Sequence, residues 1–181
     1  MSYSIYNPCG DEVVAPVCDP CLVEMEHGGV RGVGLIHKNY IATLKANPTL
    51  KAVWVAGVAA GAIFIIPETQ GTFDGGAPVE VPGFGDQLTR ITGYNFGAAF
   101  KDPNFKGNTA FYNSIIGAGN YHFAWRTETQ SRISNKPVAV LPKSPVQEGL
   151  QTEVMWDVEI KWFESKQPVP FDTPDGVFVC I

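Results

Sequence analysis

The most regular alternation of hydrophobic and polar residues lies near the C-terminal end of the chain, in residues 153–163. Its apolar positions are Val154, Trp156, Val158, Ile160 and Trp162, and its polar positions include Asp157, Glu159 and Lys161. This period of two is typical of a strand with one buried face. Residues 30–40, 62–66, 87–100, 120–130 and 136–142 also have strand-like apolar patterns, so we predict that β-strands dominate the chain.

Two other stretches have helical spacing. In the first, Asn47 is expected to be the N-cap and Pro48 the first helical residue, which is the preferred order, and Gly61 is expected to end the helix. In the second, Asp102 and Pro103 repeat the arrangement, and an apolar stripe follows up to residue 116. We therefore predict two helices that pack against the strands.

These elements predict a mainly β protein with two helices, of the α+β class. The chain has 181 residues, which fits one domain. Strands and helices do not alternate as a parallel sheet requires, so we expect an antiparallel β-sandwich or barrel. Three parts are expected: an irregular cysteine-containing segment (residues 1–29), a β-rich core domain (residues 30–164) and an extended C-terminal tail (residues 165–181).

A long stretch rich in Gly, Pro, Thr and Asp separates two of the predicted strands. Connections in compact domains are normally about 2–6 residues long, and longer ones are usually functional. Residues 69–86 are therefore predicted to form an assembly arm, a long loop or hairpin that reaches a neighbouring subunit, because a two-stranded arm alone is marginal in water. Its candidate interface residues are Thr69, Gln70, Thr72, Phe73, Asp74, Val79, Val81, Phe84 and Asp86.

Composition supports a protein whose surface is covered by other subunits. Charged residues make up 17% of the chain, whereas they usually make up about a quarter. The chain also contains 19 Gly and 14 Pro. The net charge of −5 and the lack of a Lys/Arg-rich stretch argue against a nucleic-acid binder. The start of the chain does not resemble a signal peptide, and the apolar run of residues 52–66 is shorter than the roughly twenty residues of a membrane span, so no membrane partner is expected.

Four potential metal ligands lie close together in the N-terminal segment: Cys9, Cys18, Cys21 and His27. Thiolate and imidazole ligands of this kind could hold a structural zinc ion. The alternatives are a Cys18–Cys21 redox pair or free thiols. No other cofactor is expected.

Catalytic motifs are not recognisable in the sequence. His37 and His122 each fall in a predicted strand, where a surface histidine or one with satisfied hydrogen bonds is the simpler interpretation. Nucleophile-elbow, zinc-protease and phosphate-binding patterns do not occur. We therefore expect a protein that is not an enzyme.

The segments "PETQGTFDGGAPVEVPGFGDQLTRITGYNFGAAFKDPNFKGNTAFYNSI", "NYHFAWRTETQ" and "KPVAVLPKSPVQEGLQTEVMWDVEIKW" resemble virion structural proteins of tailed bacteriophages of Bacteroidetes, the crAss-like phages in particular. The resemblance covers residues 30 to about 163. The order of elements is also similar to the tail-tube fold, a β-sandwich or barrel with a flanking helix that forms rings. The resemblance implies a ring-forming tail or neck subunit that is not catalytic.

The same resemblance implies partners and a location. The subunit would form a homo-oligomeric ring with other virion proteins nearby, in a virion assembled in the host cytoplasm. DNA would pass the ring without specific binding, because an acidic inner surface repels it. Candidate lumen residues are Glu153, Asp157 and Glu159.

Two other functions remain open from the sequence. One is a capsid decoration or fibre-attachment protein that the N-terminal cysteine segment anchors to the shell. The other is a small thiol- or metal-dependent enzyme that uses Cys9, Cys18 and Cys21.

Overall fold

The computed structural model describes residues 28–85, 88–117, 119–145 and 154–179. Nine strands form one sheet, and three helices accompany it in this part of the chain. The elements in chain order are β1 (Val30–His37), α1 (Ile41–Ala46), α2 (Lys51–Ala59), β2 (Ile63–Phe73), β3 (Ala77–Val81), β4 (Arg90–Asp102), α3 (Thr109–Ile115), β5 (Tyr121–Arg126), β6 (Gln130–Ile133), β7 (Ala139–Lys143), β8 (Trp156–Glu164) and β9 (Phe171–Asp172).

The sheet is antiparallel and curls on itself. Its strand order is β7-β8-β4-β2-β1-β5-β6-β9, and β3 pairs with β4 beside this path. Tyr121 at the start of β5 also pairs with Val138, the residue before β7, which links the two ends of the six-strand path from β7 to β5. The predicted class, mainly β and antiparallel with accompanying helices, is confirmed.

The interior of the curled sheet is filled largely by aromatic side chains. Trp125 and Trp162 lie 5.9 Å apart between ring centroids, and Phe96 stacks on Trp162 at 5.2 Å. In β8, Trp156, Val158, Ile160 and Trp162 point inward as their alternation predicted. Each fully buried side chain of this size contributes about 1.5–3 kcal/mol to stability, so this cluster is the main source of the fold's stability.

A second apolar cluster lies on the outer side of β1 and β5. Trp54 from α2 and Phe178 from the C-terminal segment meet there, with ring centroids 5.5 Å apart. Gly32 makes room for Phe178, since a Cβ at residue 32 would lie 3.0 Å from the Phe178 Cβ. The segment after residue 164 therefore completes the core of the domain, whereas the sequence suggested only an extended tail.

The helices differ from prediction at their starts. Helix α1 was not predicted. Helix α2 begins at Lys51, and Leu50 occupies its N-cap position without a side-chain hydrogen bond. Instead of starting the helix, Pro48 lies in the preceding turn, where its carbonyl accepts a hydrogen bond from Trp54 Nε1 at 2.7 Å. The predicted Asn47 cap was therefore wrong.

The Asp102 cap was wrong for a different reason. Asp102 is the last residue of β4 and is buried. Its carboxylate accepts hydrogen bonds from Asn104 N at 2.8 Å, Asn108 Nδ2 at 2.6 Å and the Tyr112 hydroxyl at 2.8 Å. The side chain thus organises the turn after β4, and the helix starts only at Thr109.

Candidate functional site: the β3–β4 hairpin

The predicted arm, residues 69–86, is divided between the body of the domain and a projecting hairpin. Its first five residues complete β2, and Gln70 to Phe73 pair with Lys101 to Ala98 of β4. Thr69 is 3% exposed, and the Phe73 ring lies 4.7 Å from that of Trp125. The expectation that the whole segment leaves the domain is therefore wrong for residues 69–73. These residues belong to β2, which is held in the sheet by its pairing with β4.

A short irregular segment at residues 74–76, here called the bend, connects β2 to β3 along β4. The Asp74 carboxylate accepts a hydrogen bond from Gly76 N at 2.8 Å. Gly76 has a φ of 87°, and a Cβ there would lie 2.4 Å from the Phe96 ring, so only glycine fits. Gln167 Nε2 also donates to the Gly75 carbonyl at 2.7 Å. These contacts fix the connection between β2 and β3, which pair one after the other with β4.

Beyond this bend, β3 and the first part of β4 form a two-stranded hairpin. Val81 pairs with Arg90 and Val79 with Gly93, whereas β8 pairs with β4 only from Tyr94 onward. We call residues 77–85 and 88–93 the β3–β4 hairpin. The connection between its two strands starts with Pro82 to Gly85, at the C-terminal end of the predicted arm.

The outer part of the β3–β4 hairpin is unusually apolar for a surface element. Phe84 is 93% exposed and Leu88 is 88% exposed, the two highest values among large apolar side chains in the described residues. Ile91 and Val81 are also exposed. Neighbouring exposed apolar residues of this kind mark interaction surfaces more often than scattered ones do.

An exposed aromatic ring adjoins the β3–β4 hairpin on the outer face of the sheet. The half-exposed Phe163 ring lies against Gly93, where a Cβ would be 2.4 Å from Phe163 Cζ. Ile91 lies on the opposite face of β4, because the register shift at this point pairs Ile91 with Glu80 and Gly93 with Val79. On the outer face, the exposed Phe163 ring of β8 therefore adjoins the base of the hairpin at Gly93.

The free edge of β3 is poorly suited to accept another strand. Pro78 lacks an N–H group, and the pairing register shifts between Val79 and Glu80. Proline and bulges are devices that keep exposed edges from pairing with other chains. The β3–β4 hairpin therefore offers side chains rather than backbone hydrogen bonds to a partner.

Two of the residues predicted to line a lumen lie on the outer face of β8. Asp157 is opposite Lys101 in the register with β4. Glu159 accepts a hydrogen bond from Lys143 Nζ at 2.6 Å and lies 3.3 Å from Lys161 Nζ. These lysines hold the pKa of Glu159 below its ordinary value. This face carries mixed charge, in contrast to the acidic surface that the sequence suggested, and Glu153 lies outside the described residues.

The predicted metal ligands Cys9, Cys18, Cys21 and His27, like the predicted interface residue Asp86, lie outside the described residues. Within the ranges that the structure describes, no group of three or more His, Cys, Asp or Glu side chains could hold a metal ion. No helix in those ranges is long and apolar enough to cross a bilayer.

A buried polar cluster near the end of β8 was missed in the sequence. Glu164 accepts hydrogen bonds from Asn135 N at 3.2 Å, from Asn135 Nδ2 and from Trp162 Nε1 at 3.1 Å. His122 Nδ1 lies 3.0 Å from the Ser134 carbonyl, and burial lowers the pKa of this histidine. These bonds hold the loop between β6 and β7, which is a structural role.

Leu88 and Ile91 were also missed as hairpin residues, because the pattern of residues 87–100 reads as one strand with a buried face. The signal that could have separated them is "PGFG" at residues 82–85, which marks the turn of the hairpin.

Comparison with protein-family models gave no match, and comparisons with curated proteins and with solved structures gave none either.

Proposed function

We propose that this chain is a structural subunit without catalytic activity, which assembles into a homo-oligomeric ring through the β3–β4 hairpin. We further propose that the ring belongs to the tail or neck of a tailed bacteriophage. The observation that carries the proposal is the projecting hairpin with Phe84 and Leu88 almost fully exposed. The phage location rests on the sequence resemblance alone.

The energetics favour a closed assembly over an isolated pair. Burying Phe84 and Leu88 contributes about 1.5–3 kcal/mol for each side chain. Association costs about 4–15 kcal/mol in lost translational and rotational freedom. One hairpin contact is therefore marginal. In a ring every subunit gives one contact and receives one, and the exposed Val81 and Ile91 of the hairpin add further apolar area.

The buried ionisable groups support a role without catalysis. Asp102 accepts three hydrogen bonds that organise the turn before α3, and Glu164 accepts three from Asn135 and Trp162. Each carboxylate thus already serves the fold.

Analytical ultracentrifugation of full-length variants tests the assembly. We expect the double substitution Phe84→Ser and Leu88→Ser to convert a closed oligomer into a monomer with an unchanged circular dichroism spectrum. The matched control is Ile116→Ser, which removes another exposed apolar side chain, outside the hairpin. Assembly of the double variant at wild-type strength would contradict the proposal, as would a wild-type chain that stays monomeric.

The phage location has a separate test. Quantitative mass spectrometry of purified particles of a phage that encodes this sequence should find the chain in many copies per particle. Its absence from the particles would refute the virion role while leaving the assembly result intact.

A further inference from the structure

A small, mostly apolar cavity opens between α1 and the C-terminal segment. Its volume is about 220 Å³. The residues that line it are Lys45, Pro48, Ile133, Asn135, Val169, Pro170 and Phe171. Val169 is 78% exposed at its rim. An apolar side chain of a partner could therefore enter from solvent and bury its surface there.

One cation borders this cavity. Lys45 Nζ donates a hydrogen bond to Asn135 Oδ1 at 2.5 Å, and none of the ion pairs found within the described residues includes it. Partial burial lowers the pKa of Lys45, an effect that the negative charge of Glu164 only partly offsets. An incoming carboxylate would meet a partly dehydrated ammonium group.

We propose that this cavity receives the β3–β4 hairpin of a second copy of the chain, with Phe84 inserted among the apolar residues and Glu80 beside Lys45. The inference rests on the proposed function and names the surface to which the hairpin binds. Phe84 is 93% exposed in the structure, so it does not fill the cavity of its own chain. Glu80 is exposed on the same hairpin. Glu80 and Phe84 are four residues apart, which is at most about 14 Å along the chain. Both side chains can therefore reach the same binding surface.

Charge distinguishes this cavity from a larger apolar depression on the surface. That depression, of about 310 Å³, lies between α2, β2 and α3. Its lining consists of Val58, Ile63, Phe64, Ile65, Ile66, Asn108 and Phe111. The described residues that line it include no cation to pair with Glu80, whereas the first cavity combines an apolar wall with Lys45.

The proposed contact also explains how a ring arises. The β3–β4 hairpin and the cavity are different surfaces of one subunit, so each copy binds the next head to tail. Head-to-tail contacts of this kind form closed rings when the rotation between subunits closes, and open filaments when it does not.

Photo-cross-linking locates the contact directly. The full chain carries p-benzoylphenylalanine in place of Phe84, and isotopically heavy and light copies are mixed, irradiated, digested and analysed by mass spectrometry. We expect heavy–light cross-links to residue 133 and to residues 169–171. Cross-links to residues 58–66 or 111, or cross-links confined to one copy, would overturn the proposal.

A charge exchange provides the second measurement. Lys45→Glu and Glu80→Lys should each raise the dissociation constant of the oligomer about tenfold or more, and the double variant should recover most of the loss. The control is Lys106→Glu, another exposed lysine on the surface, which should assemble like the wild type. Failure of the double variant to recover would overturn the pairing of Lys45 with Glu80.

The two proposals can fail separately. If Lys45→Glu assembles normally while the Phe84 and Leu88 double variant does not, the hairpin is an assembly element that binds elsewhere, and the cavity inference is wrong. If both variants assemble like the wild type, the hairpin is not the contact and both proposals are wrong.

Discussion

Strand β4 lies between two strands in its later part and beside only one in its first four residues. From Tyr94 to Asp102 it pairs with β8, and part of this stretch also pairs with β2. From Arg90 to Gly93 it pairs only with β3, and Ile91 is exposed. The later part buries Phe96, Ala98 and Phe100 in its own domain and stabilises the monomer, whereas the first part leaves Ile91 exposed. We infer that the first part is stabilised by another subunit.

The largest effect should come from a substitution inside the curled sheet. Trp125→Ala removes a side chain that is 1% exposed and contacts Phe73, Phe123 and Trp162. We expect it to lower the free energy of unfolding by about 3–5 kcal/mol, measured by urea denaturation. Phe84→Ala, measured on dissociated protein, should change that free energy by less than about 0.5 kcal/mol. Comparable losses at both positions would mean that the hairpin packs within its own domain.

A smaller effect is expected at the bend between the two regions. Gly76→Ala places a Cβ 2.4 Å from the Phe96 ring at a φ of 87°, so overpacking adds about 1–3 kcal/mol to the cost of the left-handed backbone. Gly75→Ala is the matched control, because its φ of 76° is similar and no atom lies within 4 Å of the added carbon. Thermal unfolding should show a clearly lower midpoint for Gly76→Ala. Equal midpoints for the two variants would show that a Cβ at residue 76 does not clash with the Phe96 ring.

The smallest effect concerns the far end of β4. Tyr112→Phe removes one of the three hydrogen bonds to Asp102 and should cost about 1 kcal/mol at pH 7. Burial, and then the hydrogen bond and charge of Asp102, raise the pKa of Tyr112. The folded protein holds the Tyr112 proton more tightly than the unfolded chain does. The stability that Tyr112 contributes is therefore fully present below about pH 10 and is lost as the pH rises above it. Chemical denaturation between pH 8 and pH 11 should show a steeper loss for the wild type than for Tyr112→Phe. Equal slopes would contradict this assignment.

An element of the fold could be predicted from the sequence where neighbouring residues determine it, and could not where contacts with distant residues determine it. Strand β8 was predicted well, because the alternation from Val154 to Trp162 is a local pattern. The start of α3 was not predicted, because the Asp102 carboxylate accepts hydrogen bonds from Asn108 and Tyr112 across the turn. The six-residue helix α1 is too short to leave a clear period.

The same reasoning applies to the candidate site. The density of Gly and Pro in residues 69–86 predicted a projecting element, since turn residues act locally. The extension of β2 to Phe73 could not be predicted, because it depends on pairing with Ala98 in another strand. The cavity beside Lys45 is likewise a product of tertiary structure, as its lining comes from three separate stretches of the chain.

Hydrogen–deuterium exchange on assembled and dissociated protein tests the central claim most directly. We predict that backbone amides of residues 90–93 exchange several times more slowly in the assembled state, whereas those of residues 94–102 are protected equally in both states. If residues 90–93 exchange at the same rate in assembled and dissociated protein, the β3–β4 hairpin is not buried by a second subunit, and the account is wrong.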